Sequence, residues 1–254
     1  MALDPHLLNA IRFLTVLPTP HSANAPERDW LARAIKYFPL VGAGIGAASA
    51  LVFLIASEFW SPLIAALLAV TTSIAITGAL HEDGLADTVD SFGGGWSIEK
   101  RLAIMKDSRI GTYGALALGI GVALRVAAMA ALPIWLGAAA LIAAHAAARA
   151  VPGFVINRLP YSGDTAMMKV SYAETPVRSS ELTLALIIAA LAAIPLAFFT
   201  IASVAVGLLL GATFAALLTR WSRRLLGGYT GDVLGAIEQL FEIGFLLGVA
   251  AAIR

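Results

Sequence analysis

The sequence predicts an all-α fold, a polytopic transmembrane helical bundle of about seven spans with a candidate site on its cytoplasmic loops. Three observations lead to this fold class: the composition, the apolar stretches and the placement of the positive charges. Of the 254 residues, 59% are hydrophobic and only 13% are charged, and the mean hydropathy is +0.86. A soluble domain has about 25% charged residues, so this chain lacks the polar side chains to cover a water-facing surface.

The apolar stretches define the predicted spans of a single integral membrane domain, residues 1–254. A helix needs about 20 apolar residues to cross the roughly 30 Å core of a bilayer. The fifth and sixth spans form one continuous run in which Pro195 offers a place for a break. Leu7–Leu17 is too short to cross, so we expect it to lie along the interface or to pack on the bundle. The spans are Tyr37–Ser57, Pro62–Leu80, Thr112–Leu132, Pro133–Val151, Leu182–Phe198, Phe199–Leu218 and Val233–Ile253.

The positive charges favour a cytoplasmic N-terminus and an external C-terminus. In this orientation the segments 12–36, 100–109, 158–178 and 220–224 are cytoplasmic, and they hold fourteen of the 17 Lys and Arg residues. The opposite connections hold none, which is the asymmetry that the positive-inside rule describes. Cysteine is absent, so disulfides, thiolate metal sites and Cys nucleophiles are excluded. Residues 1–20 lack the features of a signal peptide, and we expect the first span to act as its own insertion signal.

The acidic stretch His81–Asp90 carries the strongest chemical signal, and it could continue the second span as a helix beyond the membrane. Asp83, Asp87 and Asp90 are spaced i, i+4, i+7 and therefore share one helical face. Their mutual repulsion would be relieved by a hard divalent ion, Mg²⁺ above all; the alternative is a solvated acidic helix end. Gly84 weakens the helix by about 1 kcal/mol relative to Ala, and we expect it to leave room for a substrate or ion.

A basic segment follows the acidic one. Ser97 is a candidate N-cap for a short helix, and Ser108 or Thr112 could cap the third span. The amides at that helix start, beside Lys106 and Arg109, form the kind of site that binds phosphate. The alternative is that these cations only anchor the topology. A metal cluster joined to an anion site by a short loop is typical of phosphoryl transfer.

A later loop, residues 149–174, is interpreted either as an organised site or as an ordinary solvated loop. Its polar and aromatic residues include Arg158, Tyr161, Asp164, Lys169, Tyr172 and Glu174. The four histidines show no metal-ligand spacing, and only His81 stands out, because it lies beside the aspartates.

The last span also carries ionisable residues. Asp232 at its start is either a helix cap or a functional group, and Glu238 and Glu242 follow at i+6 and i+10. Ionisable groups inside a membrane are costly and usually face a polar interior. Arg125, inside the third span, is a candidate partner for these glutamates.

Four segments together resemble a known family. His81–Asp90 and Met105–Gly114 closely resemble cobalamin synthase, also called adenosylcobinamide-GDP ribazoletransferase. Phe13–Pro20 and Gly228–Ala236 are similar to the same family, so the likeness covers nearly the full chain in order. One departure is Ser91, where the family pattern has glycine, and it affects only the local backbone shape.

The resemblance implies a Mg²⁺-dependent transferase in the last steps of cobalamin biosynthesis, located in the bacterial cytoplasmic (inner) membrane with its active site facing the cytoplasm. The ribose hydroxyl of α-ribazole, or of its 5′-phosphate, would attack adenosylcobinamide-GDP at the phosphorus that is bonded to the aminopropanol arm of the corrinoid. GMP would leave, and adenosylcobalamin or its phosphate would form. The expected partners are these substrates and the lipid bilayer, without nucleic acid, and a homo-oligomer is left open.

The resemblance also assigns roles within a catalytic loop at about 81–114. The metal on the diphosphate is assigned to Asp83, Asp87, Asp90 and Glu82. The phosphate oxygens are assigned to Lys106, Arg109, Gly111, Thr112, Tyr113 and Gly114. The attacking hydroxyl would be oriented or deprotonated by His81, Asp107 or Asp232, which are not ranked.

Two other function classes compete with this interpretation. A CDP-alcohol phosphotransferase also uses spaced aspartates, but its pattern has an arginine soon after the Asp-Gly pair, whereas here Asp87 follows Asp83 and Gly84. A cation-coupled transporter would place its carboxylates near the middle of the membrane in broken helices of a repeated fold. This cluster sits at a predicted span end, and no internal repeat is evident.

Overall fold

The chain folds as a bundle of helices. The computed structural model describes residues 4–19, 29–163 and 176–253, and within these ranges it contains eleven α-helices and no β-strand. A 3₁₀ turn, Ile35–Tyr37, joins α2 to α3. The helices are α1 (Pro5–Leu14), α2 (Trp30–Ala34), α3 (Phe38–Ser57), α4 (Pro62–Thr77), α5 (Leu80–Gly94), α6 (Ile98–Met105), α7 (Thr112–Ala130), α8 (Ile134–Ile156), α9 (Ser179–Phe199), α10 (Ile201–Leu226) and α11 (Gly231–Ala252).

Six helical segments are long and apolar enough to cross a membrane: α2 with α3, and each of α7, α8, α9, α10 and α11. Helices α4 and α5 together would supply a seventh, but they are bent by 89°. Because α5 is rich in polar side chains, the apolar part of this seventh segment is α4, and α5 lies beyond it. The predicted polytopic bundle of about seven spans is confirmed.

The bend between α4 and α5 corrects one prediction. Gly78 and Ala79 both adopt left-handed backbone conformations, with φ of 61° and 59°. Glycine takes this conformation readily, whereas an L-residue such as alanine is strained by about 1–2 kcal/mol. The expectation that the acidic helix continues the second span is therefore wrong, because these two residues redirect the chain across the end of α4.

The boundary between α9 and α10 corrects another prediction from the sequence, the position of the break between these two spans. The predicted split into two spans is confirmed, but Pro195 lies inside α9 and does not break it. The break is at Thr200, whose extended backbone (φ −164°, ψ 124°) separates the two helices. A proline removes one helix hydrogen bond without forcing a turn, and membrane helices tolerate it where neighbouring groups compensate.

Helix α1 packs on the bundle, which was one of the two outcomes expected for the short N-terminal apolar stretch. Its buried residues Ala10 and Leu14 join a core cluster with Leu31, Ile35 and Phe38. At the centre of the molecule, α11 packs against α5, α7, α8 and α10 and is buried over most of its length. The acidic helix α5 therefore rests directly on the most enclosed helix of the bundle.

Candidate active site

A cavity of about 880 Å³ opens where α1, α5, α8, α11 and the end of α6 meet. Pockets for small molecules are commonly about 300–1,000 Å³. Residues predicted to be functional that line it are His81, Asp83, Asp87, Lys106, Asp107 and Asp232. Parts of the segment 81–114 and the start of the last span, which are distant in sequence, are thus brought to one site.

Close packing of α5 on α11 brings Asp83, Asp87 and Asp232 to the same cavity. A Cβ atom at Gly84 would lie 2.7 Å from the carbonyl oxygen of Asp232, so only glycine permits this approach. The space that Gly84 was expected to leave for a ligand is occupied by the α11 backbone. Asp83 and Asp87, one turn apart on α5, consequently lie beside Asp232.

The charges at this wall are poorly balanced. Burial raises the pKa of Asp87 to about 7, and the neighbouring carboxylates of Asp83, Asp232 and Asp90 add to the effect. Within the described residues, no three His, Asp or Glu side chains converge as a complete metal cage. Mg²⁺ is usually held by one or two carboxylates together with substrate phosphates and waters, so an open, acidic wall of this kind fits that ion.

The start of α11 is capped by a residue other than the predicted one. The hydroxyl of Thr230 accepts a hydrogen bond from the Val233 amide at 3.3 Å. The capping role considered for Asp232 therefore belongs to Thr230, and Asp232 faces the cavity instead. The N-cap predicted at Ser97 is confirmed, because its hydroxyl accepts a hydrogen bond from the Lys100 amide at 3.2 Å.

The segment after α6 divides between the cavity and solvent. Lys106 and Asp107 line the cavity, whereas the Arg109 side chain is 86% exposed and is not part of the wall. Arg109 Nη2 donates a hydrogen bond to Asp107 Oδ2 at 2.6 Å. This hydrogen bond lowers the pKa of Asp107 to about 2, which makes Asp107 a weak proton acceptor.

Asp90 occupies the helix start that was predicted to bind phosphate. Its two carboxylate oxygens accept hydrogen bonds from the amides of Gly111 at 2.7 Å and Gly114 at 2.8 Å. Neither Ser108 nor Thr112 caps α7, because no side chain at its N-terminus supplies a capping bond of its own. A Cβ at Gly111 would lie 2.5 Å from Asp90 Oδ1. The glycines at 111 and 114 are therefore needed to admit a carboxylate.

The other residues of that turn lie away from the cavity wall. Thr112 is exposed, and Tyr113, which is 55% exposed, has its ring beside the backbone of Gly93. The sequence signal for the Asp90 contact was the pair of glycines three residues apart, but their partner is 21 residues away and the spacing alone does not identify it.

Glu82 points into the bundle rather than towards the cavity. Its Oε1 atom accepts hydrogen bonds from Arg125 Nη2 at 3.0 Å and from Gln239 Nε2 at 3.1 Å. Both Glu82 and Arg125 are buried. The structure therefore separates Glu82 from the aspartates with which it was grouped, since adjacent helix residues point about 100° apart.

The partner predicted for the intramembrane glutamates is confirmed. Arg125 Nη1 donates to Glu242 Oε1 at 3.2 Å. Sequence reasoning missed Arg149, whose Nη1 donates to Glu242 Oε2 at 2.9 Å, and His145, whose Nδ1 lies 2.9 Å from the same oxygen. The i, i+4 spacing of His145 and Arg149 on an apolar helix was the signal available. We call Glu82, Arg125, His145, Arg149, Glu238, Gln239 and Glu242 the buried charge cluster.

His81 lies between this cluster and the cavity. Its Nε2 atom is 2.9 Å from Glu238 Oε2, at an angle too oblique for a hydrogen bond, and both side chains are buried while lining the cavity. Glu238 Oε2 is also 3.6 Å from Arg149 Nε. His81 therefore contacts the cavity on one side and the charge cluster on the other.

The segment 149–174, which was predicted to be a loop, begins inside α8, which runs to Ile156. Of its polar and aromatic residues, Arg158 is exposed, and Asp164, Lys169, Tyr172 and Glu174 lie outside the described residues. Tyr161 lines the cavity, and its ring lies 5.6 Å from the ring of Tyr229. Tyr161 thus belongs to the cavity wall and contacts the segment that leads into α11.

Comparison with known proteins places the chain in a family. It is 41% identical over 253 residues to the adenosylcobinamide-GDP ribazoletransferase of Leptothrix cholodnii, covering 96% of this chain and 94% of that protein. Proteins of the same name from Azorhizobium caulinodans and Bradyrhizobium diazoefficiens are each 44% identical, over 94% and 95% of this chain and 93% and 92% of theirs. No solved structure matches. Because a family model described as cobalamin-5-phosphate synthase matches residues 6–250, the chain belongs to the cobalamin-5-phosphate synthase family.

Proposed function

We propose that this protein is the membrane transferase that joins adenosylcobinamide-GDP to α-ribazole, or to its 5′-phosphate, and releases GMP. The observation that carries the proposal is the meeting of Asp83, Asp87 and Asp232 at one cavity wall in a chain of this family. Related proteins at 41–44% identity bear the name of this activity. The apolar helices support placement in the cytoplasmic membrane, with the cavity on the cytoplasmic side.

In the proposed mechanism, Asp83 and Asp87 would hold Mg²⁺, which would neutralise charge on the diphosphate when bound. Lys106, on the same cavity wall, adds a fixed positive charge for the phosphate oxygens. Asp90 and Glu82 are left out of the metal set, because Asp90 accepts hydrogen bonds from the start of α7 and Glu82 from Arg125.

The transfer itself breaks one bond and forms one. A ribose oxygen bonds to the phosphorus that carries the corrinoid arm, and the bond from that phosphorus to the bridging oxygen of GMP breaks. The hydroxyl proton passes to a cavity side chain, for which His81 and Asp232 are the candidates. Asp107 is disfavoured, because its hydrogen bond with Arg109 lowers its pKa to about 2.

The test is GMP release by the purified full-length protein in lipid nanodiscs, with adenosylcobinamide-GDP and α-ribazole as substrates. We expect turnover that requires Mg²⁺ and stops with a chelator. Asp83→Asn and Asp87→Asn should each lower GMP release by about 100-fold or more, since removal of an electrostatic group at a reacting centre costs about 10²–10³ in rate. Glu58→Gln, an exposed carboxylate away from the cavity, is the matched control and should retain full activity.

A second measurement separates metal binding from catalysis. Binding of Mn²⁺, followed by its electron paramagnetic resonance signal, should weaken in both aspartate variants and not in Glu58→Gln. Normal insertion with near-normal GMP release in both Asp83→Asn and Asp87→Asn would contradict the metal assignment. Release of CMP from a CDP-alcohol, without GMP release, would instead support the lipid head-group transferase.

A further inference from the structure

The cavity wall carries more acidic than cationic side chains. Its acidic side chains are Asp83, Asp87, Asp107, Asp232 and Glu238. Among the described residues that line the cavity, only Arg12 and Lys106 carry a permanent positive charge. Oxygen atoms of a diphosphate are bound in proteins chiefly by metal ions, guanidiniums and ammonium groups. Arg12 is therefore one of two side chains that can meet such a substrate away from the aspartates.

Arg12 belongs to α1, an element to which the sequence assigns no chemistry. Helix α1 precedes the spans, and the ordinary interpretation of its basic residue is a charge that anchors a helix to lipid headgroups. In the structure, however, Arg12 is half-buried and faces the cavity together with its neighbour Phe13.

Contacts at both ends of α1 fix its position. The Phe13 ring stacks on Phe38 at 5.7 Å and meets Trp30 edge-on at 5.8 Å. At the N-terminal end, the Tyr37 hydroxyl donates a hydrogen bond to Asp4 at 2.7 Å. These contacts tie α1 to the start of the first span, so α1 is a built part of the cavity wall.

The chain after α1 holds the guanidinium itself. Arg12 Nε donates a hydrogen bond to Thr19 Oγ1 at 2.6 Å. The segment between them is anchored on α4, since the Val16 amide donates to the Ile76 carbonyl at 2.9 Å. A bond at Nε sets the orientation of the guanidinium plane, and a guanidinium of fixed orientation adds geometric specificity to the binding of a phosphate oxygen.

We propose that Arg12 is a substrate-binding residue that holds phosphate oxygens of the nucleoside diphosphate group from the α1 wall of the cavity. Asp83 and Asp87, on α5, are the residues that would hold the metal ion for the same group. The identity of the diphosphate rests on the proposed function, whereas the anion site rests on the cavity and on the contacts of α1. The same phosphate chemistry is offered by an anionic lipid headgroup, and the experiment separates the two sources.

The experiment compares Arg12→Gln and Arg12→Lys with Arg220→Gln as the matched control. Arg220 is also a cytoplasmic-side arginine by prediction, but it is exposed on α10 and does not line the cavity. We expect Arg12→Gln to raise KM for adenosylcobinamide-GDP about ten- to hundredfold, as for loss of hydrogen bonds to a charged group. KM for α-ribazole should be unchanged, KM for adenosylcobinamide-GDP in Arg12→Lys should fall between, and both constants in Arg220→Gln should stay within about twofold of wild type.

Binding of GDP to the purified protein, measured without turnover, provides an independent readout. GDP binding should weaken about ten- to hundredfold in Arg12→Gln and stay unchanged in Arg220→Gln. If the wild-type protein releases no GMP, the proposed function fails, but this GDP comparison still decides the role of Arg12.

Two outcomes would overturn the inference. One is a folded Arg12→Gln protein, with wild-type thermal stability, that binds GDP and turns over substrate as the wild type does. The other is a defect that appears only in nanodiscs containing anionic lipid and vanishes in neutral phosphatidylcholine, which would assign Arg12 to a lipid headgroup. If Arg12→Gln is unstable, Arg12→Lys keeps the charge and must bind GDP more tightly than Arg12→Gln for the inference to stand.

Discussion

The buried charge cluster and the cavity share helices α5 and α11, but their charges are matched differently. In the cluster each carboxylate lies near a guanidinium: Glu82 is 3.0 Å from Arg125, Glu242 is 2.9 Å from Arg149, and Glu238 is 3.6 Å from Arg149. Such pairing is what makes ionised groups tolerable inside a membrane bundle. The cluster therefore joins α5, α7, α8 and α11 and explains their mutual positions.

The α5 side of the cavity is different. Among the described residues, no cation forms an ion pair with Asp83 or Asp87, and the pKa of Asp87 is raised to about 7, by burial first and then by the carboxylates of Asp83, Asp232 and Asp90. A buried carboxylate without a cationic partner is the condition in which a bound cation contributes most. The difference teaches that the matched acids of this molecule stabilise the fold, whereas the unmatched acids mark the place where chemistry is expected.

The largest effect on stability is expected from Arg125→Ala. Removing this guanidinium leaves Glu82 and Glu242 without one of their partners in the interior of the bundle. Breaking a buried ion pair from one side costs about 3–5 kcal/mol. We expect a decrease of that size in the free energy of unfolding, measured by titration of the detergent-solubilised protein with SDS.

Arg109→Ala is the control for this experiment. The Arg109 side chain is 86% exposed, and its hydrogen-bond partner among the described residues is Asp107, two residues away. The SDS concentration at the midpoint of unfolding should therefore not change. Equal midpoints for wild type and Arg125→Ala would show that the buried charge cluster does not hold the helices together. The structural role assigned to its matched acids would then be wrong.

Helix periodicity predicts much of the acidic wall. Asp83 and Asp87 are one helical turn apart, and this spacing by itself places the two carboxylates on one face of α5. The pairing of Arg125 with Glu242, one of the two glutamates of the last span, was also predictable, because an intramembrane ion needs a partner. These predictions depend on local spacing or on a strong energetic requirement.

Contacts between distant segments could not be predicted in the same way. The bend at Gly78 and Ala79 depends on the strained left-handed conformation of an alanine, which no sequence rule favours. The third aspartate, at i+7 from Asp83, is predicted to lie on the same helical face, yet Asp90 binds the start of α7 because two glycines there admit its carboxylate. Helix periodicity fixes which residues share a face, but not which partner that face meets.

Gly114→Ala tests the contact between Asp90 and the start of α7. This contact is neither an ion pair, as in the buried charge cluster, nor an unpaired acid, because backbone amides at a helix start stabilise the carboxylate. A Cβ at position 114 would lie 2.9 Å from the Ala86 carbonyl oxygen and would also overlap the Asp90 carboxylate. We expect the free energy of unfolding to fall by about 1–3 kcal/mol, because the overlap would leave the Asp90 carboxylate buried without its amide partners.

Gly119→Ala, on the same helix, is the matched control for this substitution. Nothing lies within 4 Å of a Cβ at that position, so the change should stabilise the helix by up to about 1 kcal/mol through its propensity. If both variants behaved alike in SDS titration, the close approach of Asp90 to α7 would not contribute to stability.

The smallest effect is expected from Glu82→Gln. Glu82 and Asp83 are neighbours in sequence, but Glu82 belongs to the buried charge cluster and Asp83 to the cavity, so this variant tests directly whether the two regions differ. A glutamine oxygen can still accept hydrogen bonds from Arg125 and Gln239, as Glu82 Oε1 does. We expect the unfolding free energy to change by about 1 kcal/mol or less, with GMP release within about threefold of wild type. The Mg²⁺ concentration for half-maximal activity should stay unchanged, in contrast to Asp83→Asn. A loss of GMP release as large as that of Asp83→Asn, with a shifted Mg²⁺ requirement, would mean that Glu82 reaches the metal during turnover. Glu82 would then count among the functional acids of α5 and not among the structural ones.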